Sequence, residues 1–239
     1  ITESQVNSLM VVLSILGLCL YLTHGISVAP HSKRQIVAEW IVEKVQNMVN
    51  SNMGAYFSAF APFIAGIMFI SAFSSLSSLL GLFPPTSDMN IVAGWAILVF
   101  VLITYYKLKG GLLPYVKGFF EPVFIFAPFN IIGEVATPVS MSFRHYGNVL
   151  SGLVISTLVA YALQTLSHML LGWLPGVLGQ FPFLQVGLPA ILSLYFDIFS
   201  GLMQAFIFAL LTTIYISTGF PQEEYERRKA KRKKALHTA

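Results

Sequence analysis

Apolar residues run almost unbroken from Val6 to Leu22, a length sufficient to cross ~30 Å of hydrocarbon at ~1.5 Å per residue. The pattern predicts a first crossing helix over residues 6–24. No basic stretch precedes it and no clear small-residue cleavage site follows, so it is read as a retained helix and not a secretory signal. Over residues 30–50 the period changes. Ile36, Trp40, Ile41, Val45 and Met48 recur at helical spacing with Lys33, Arg34, Glu39, Glu43 and Lys44 between them, which predicts an amphipathic helix lying on a membrane surface. A crossing hairpin follows over 56–83 and 91–106, turned by Pro84-Pro85 and the polar Thr86 to Asn90, and stopped by Lys107, Lys109 and Gly110-Gly111. After a short Phe- and Pro-rich amphipathic stretch, two further apolar segments occupy 133–169 and 189–217, separated by the uncharged Gly172 to Gly187 loop. A helix from Pro138 to His168 would be ~46 Å long and one from Pro189 to Ser217 ~43 Å. Both exceed the hydrocarbon thickness and are expected to tilt strongly or bend. The fold class expected is an all-α integral membrane protein with five transmembrane helices and one surface helix, forming a single membrane domain over 1–239.

Composition agrees with this pattern. Of 239 residues, 56% are hydrophobic and 10% charged, too few charges for the polar shell of a water-soluble globule. The one cysteine, Cys19, lies in an apolar run and can neither close an internal disulfide nor build a metal cluster. The formal net charge of +4 resides entirely after residue 218, where Arg227, Arg228, Lys229, Lys231, Arg232, Lys233 and Lys234 face Glu223, Glu224 and Glu226. The rest of the chain is neutral. Placing the surface helix, the Lys107 to Lys117 region and the basic tail at 219–239 in the cytoplasm puts every Lys and Arg except Arg144 on that side. The N-terminus is then outside, and the outer loops carry a single charge, Asp88. A tail rich in lysine directly after a crossing helix reads as an anchor to anionic lipid or a partner, and no nucleic-acid ligand is expected.

Two residues stand apart chemically. Arg144 lies within an apolar helix, where a lipid-facing arginine costs ~2.5–3.5 kcal/mol on insertion scales, so it should face protein, water or the headgroups. Its guanidinium stays protonated at any working pH and is a permanent positive charge. Thr137, Ser140, Arg144, Asn148 and Ser151 recur at three- and four-residue spacing and make a polar stripe on one face. The final helix repeats the pattern with Ser193, Asp197, Ser200 and Gln204. Two readings follow. Asp197 and Arg144 could form a structural ion pair locking two helices, or the stripes could line a polar path with a fixed cation at its waist. Glu134, ten residues before Arg144, is either a proton acceptor at an inner opening or a solvated interfacial carboxylate. His145 points about 100° away from Arg144, and neither it nor His168 is assigned a role.

No G-x-S-x-G elbow, H-E-x-x-H zinc pair, phosphate loop or Gly-rich dinucleotide turn is present, so no enzymatic site and no cofactor is expected in the chain. The run Pro138 to Gly152 (PVSMSFRHYGNVLSG), followed by Gln204 to Tyr215 (QAFIFALLTTIY), resembles subunit a of the F-type ATP synthase, and the five-crossing layout extends the resemblance over nearly the whole chain. The resemblance implies the stator of a rotary motor. Its partners would be a ring of c subunits, the b-subunit peripheral stalk and the remainder of the synthase, in the bilayer of a bacterial plasma membrane. Two offset half-channels would carry protons or sodium ions to and from the carboxylates of the c ring. Arg144 matches the family's essential arginine between the half-channels, with Asn148 and Gln204 as its polar flanks. Asp197 falls where the family often places a histidine or an acid in the outward half-channel, and Ser140 and Ser200 lie on the same two stripes. Three departures are visible. Leu153 occupies the place of an acid found in some members, Asn130 replaces a common carboxylate and leaves Glu134 as the main inner acid, and His145 stands where a leucine is usual. The alternative is a stand-alone secondary transporter, which would show pseudo-symmetric halves and helices broken at mid-membrane. An intramembrane hydrolase lacks a nucleophile and base.

Overall fold

The computed structural model describes residues 2–27, 32–109, 111–120, 124–171, 187, 191–192, 194–223 and 225. The expected Gly172 to Gly187 loop, apart from its last residue, and Pro189, Ser193, Glu121 and the tail beyond 225 lie outside them. The described residues contain helices and no strand. These are α1 (Glu3–Thr23), α2 (Lys33–Met53), α3 (Ala61–Leu76), α4 (Met89–Lys109), α5 (Leu112–Phe120), α6 (Ala127–Leu171) and α7 (Gly201–Gly219). Among the described residues, five segments are long and apolar enough to cross a membrane: Glu3–Thr23, Tyr56–Leu80, Met89–Lys109, Ala127–Leu170 and Leu194–Gly219. The expected all-α membrane architecture is therefore the one observed.

The element boundaries depart from the sequence pattern for local reasons. The crossing expected over 56–83 is an α-helix flanked by 3₁₀ turns, Ala55–Phe60 and Ser77–Leu80. Gly54 and Gly81, with φ of 80° and 74°, supply the left-handed backbone that ends α2 and this crossing. Ser32 starts α2 by accepting the Gln35 N–H at 3.3 Å. Along α2 the face turned into the protein is Gln35, Val45, Val49 and Met53, while Ile36 and Trp40 stay exposed. The segment expected from 133 begins at Ala127 and runs 45 residues, about 67 Å at ~1.5 Å per residue. Pro138 lies inside it, and Ser142 Oγ donates to the Pro138 carbonyl at 2.9 Å. In the most apolar stretch of α6, 6% of the residues are buried among the described residues. The last crossing opens with a π-helix, Leu194–Ser200, before α7. Hydroxyls on apolar faces bond back to their own helices, as Ser14 does to the Met10 carbonyl (2.8 Å) and Thr157 to that of Leu153 (2.8 Å). This removes most of their penalty in lipid.

The chain divides into two compact units. One comprises Ile1–His24, Ile67–Met89 and Arg144–Ile207. In it, Ser4, Asn7 and Val11 form the inward face of α1, and Asn7 Nδ2 donates to the Phe83 carbonyl at 2.9 Å. The second comprises Gly25–Gly66, Asn90–Phe143 and Phe208–Ala239. Its core holds Val92, Ala96, Val99 and Ile103 of α4 with Phe208, Ala209 and Ile216 of α7. Tyr56, Phe57, Tyr106, Phe220 and Tyr225 pack ring on ring beside it, Tyr56 stacked on Phe220 at 5.0 Å.

Candidate functional site

In the first unit the two polar stripes meet through Asn148 and Ser200. Asn148 Nδ2 donates to Ser200 Oγ at 2.7 Å, and Ser200 Oγ donates to Asn148 Oδ1 at 3.0 Å. Close approach is possible because glycines stand at the contacts. A Cβ on Gly152 would sit 3.0 Å from the Phe196 side chain, and one on Gly201 would sit 2.7 Å from Ser75 Cβ. Gln204, one turn on, is 6% exposed. Asp197 is half-buried and belongs to the π-helix, whose wider turn re-aims its side chain relative to the α-helical register. Asp197 and Arg144 do not pair, so the structural ion pair allowed by the sequence is not formed. Arg144 is exposed and makes no hydrogen bond or ion pair among the described residues. Ser140 and Ser151 are likewise exposed, so the α6 stripe is turned largely outward from the chain.

His145 is the opposite case. It is 0% exposed, and its Nε2 lies 3.3 Å from Ser71 Oγ of α3. The sequence offered no partner for it, since 74 residues separate the two.

Glu134 lies in the second unit. Its Oε1 accepts from Lys107 Nζ at 2.8 Å and from Tyr115 Oη at 3.3 Å, with the Lys107 and Glu134 side chains 29% and 13% exposed. It is thus not a freely solvated headgroup-level carboxylate. Burial first, then the Glu134 charge and the hydrogen bond to it, raise the Tyr115 phenol above its ordinary pKa, so Tyr115 remains a donor at any working pH. Gly219 ends α7 against the Lys107 stem, where a Cβ would lie 3.1 Å from Cγ. These residues line a cavity of about 630 Å³ with Asn130, Gly133, Thr137 and Thr218. Lys107 and Tyr115 were not foreseeable, because contacts across 27 and 19 residues leave no mark in helical periodicity.

The pair carries its own prediction. Lys107→Gln leaves a partly buried carboxylate without its cation, held by the Tyr115 hydrogen bond, at a cost of about 1–3 kcal/mol. The double variant with Glu134→Gln should recover more than half of that loss. Thermal dissociation midpoints of the purified protein in its complex measure this, and a double variant no better than the single one contradicts the coupling.

Residues 6–217 match the family model described as ATP synthase A chain. The chain belongs to that family. As a member of it, the chain is a multi-pass membrane protein and a membrane-sector subunit of the ATP synthase complex. It is 31% identical to ATP synthase subunit a of Bacillus pumilus (strain SAFR-032) over 234 residues, which cover 91% of this chain and 92% of the relative. The subunit a of Bacillus subtilis (strain 168) is also 31% identical, with the same coverage over 232 residues. A subunit a described as sodium ion specific, from Propionigenium modestum, is 34% identical over 161 residues, 65% of this chain and 48% of that one.

Proposed function

We propose that this A chain is the ion-translocating stator of a rotary F-type synthase, with two offset half-channels that serve the carboxylates of a c ring. The observation that carries the reading is Arg144, a permanent cation exposed on a membrane-spanning helix with no anionic partner among the described residues. Such a charge is tolerated in lipid only when an external group compensates it. A c-ring carboxylate passing Arg144 is that group. An opposite charge within ~4–6 Å lowers a carboxylate pKa by ~1–3 units, so the passing site releases its ion there and cannot carry it straight across.

Asp197, Asn148, Ser200 and Gln204 serve the outward half-channel, where protons or sodium ions load. Glu134 and the cavity beside it serve the inward one, and Ser140 lies between them on the α6 face that meets the ring. ATP chemistry belongs to other subunits, and this chain contributes no catalytic site. The N-terminus is outside and the C-terminus cytoplasmic, in a bacterial plasma membrane, with the b-subunit stalk holding the chain against rotation. Extraction in mild detergent should yield the chain with a c ring, the peripheral stalk and the ATPase head. A chain that purifies alone and, reconstituted, takes up a solute against its gradient is a secondary transporter and overturns the reading.

A further inference from the structure

In the unit that holds Arg144, buried polar groups close into a ring of contacts. Ser71 Oγ meets His145 Nε2 at 3.3 Å. His145 and Asn148 are one turn apart on α6, and Asn148 bonds Ser200 at 2.7 Å. Ser200 adjoins Gly201, which packs on Ser75, and Ser75 is one turn from Ser71 on α3. Ser74 and Ser75 are 1% and 4% exposed, and their hydroxyls have no hydrogen-bond partner among the described residues. Their neighbours Ser77 and Ser78 instead donate to the carbonyls of Ser74 and Ser75. A buried hydroxyl without a partner costs ~1–3 kcal/mol, a cost that a bound water would remove.

We propose that His145, with Ser71, Ser74 and Ser75, forms a water-holding site that is a further stage of the outward half-channel beside Asp197. This rests on the half-channel reading above. Leu153, two turns beyond Arg144 on α6, offers the ion no polar group, so the route on that side of α6 needs another polar station. His145 supplies it from one residue after Arg144, and the α3 serines hold the water that connects it to Asp197. His145 acts here as a positioning residue: it keeps the water in place through its hydrogen bonds.

The test uses the whole synthase in proteoliposomes. His145→Leu replaces the imidazole with an apolar side chain that suits a packing role, whereas His145→Gln keeps hydrogen bonds. Losing a site worth ~1.4 kcal/mol slows the step tenfold, so ion-driven synthesis should fall about tenfold in the Leu variant and recover at least half in the Gln variant. A role in packing alone predicts the reverse order. Ser71→Ala changes little volume and should be several-fold slower, which decides the matter if His145→Leu does not assemble. Wild-type rates in His145→Leu or in Ser71→Ala, or equal losses in Leu and Gln, overturn the proposal. Arg144→Ala is run beside them. If it retains synthesis, the half-channel reading itself has failed; if it is inactive while the His145 and Ser71 variants run at wild-type rate, the water site has failed and that reading stands.

Discussion

Arg144→Ala is expected to abolish ion-driven ATP synthesis while leaving the complex assembled. Assembly should survive because the side chain makes no hydrogen bond or ion pair among the described residues, so its removal leaves no buried partner uncompensated inside the chain. Function should not survive, because no other described cation stands on the membrane-spanning part of α6. On the proposed mechanism, the passing carboxylate then has nothing to force ion release, and the two half-channels are no longer separated by a fixed charge. Passive ion leak through the membrane sector should therefore rise as synthesis falls to background. Both are measured on reconstituted complex, as ATP formed under an imposed gradient and as gradient decay without nucleotide. Synthesis at the wild-type rate in an assembled Arg144→Ala complex removes the proposed role.

The second large effect is expected from Asp197→Asn. The amide is nearly isosteric, so the π-helix around it should persist, and what is lost is the carboxylate that the proposed mechanism places on the outward path. A unit charge at 4 Å is worth ~4 kcal/mol at an effective dielectric of 20, and each ~1.4 kcal/mol is tenfold, so a loss of tenfold or more at limiting ion concentration is in range even after screening. Because the defect lies in loading, it should shrink as the outside ion concentration is raised at constant driving force. Rates that match wild type across the whole range of outside pH, or of outside sodium for a sodium-driven synthase, contradict an entry role for Asp197.

The crossings were legible in the sequence because lipid imposes one strong requirement, a long uncharged apolar run, and each run has a helix on it. Their ends were less legible. The last crossing was read on a 3.6-residue period, whereas Leu194–Ser200 is wound as a π-helix, and a stripe of Ser193, Asp197, Ser200 and Gln204 carries no sign of that wider turn. The two polar stripes were legible, but that Asn148 and Ser200 are the residues that join them was not. Of the two readings of Arg144 and Asp197, the static pair is the one the structure rejects. Lys107, Tyr115 and Ser71 were invisible for a different reason. Each lies on another helix from the group it serves, and the pattern along a single helix says which face is polar but not which neighbour meets it.

The bareness of α6 has a consequence for the life of the protein in the cell. In the most apolar stretch of this 45-residue helix 6% of the residues are buried among the described residues, so its folded state should lean on contacts outside its own chain. Copies synthesised in excess of those partners should be poor survivors of membrane proteolysis. The steady-state amount of this chain should then track the supply of its partners more closely than its own rate of synthesis.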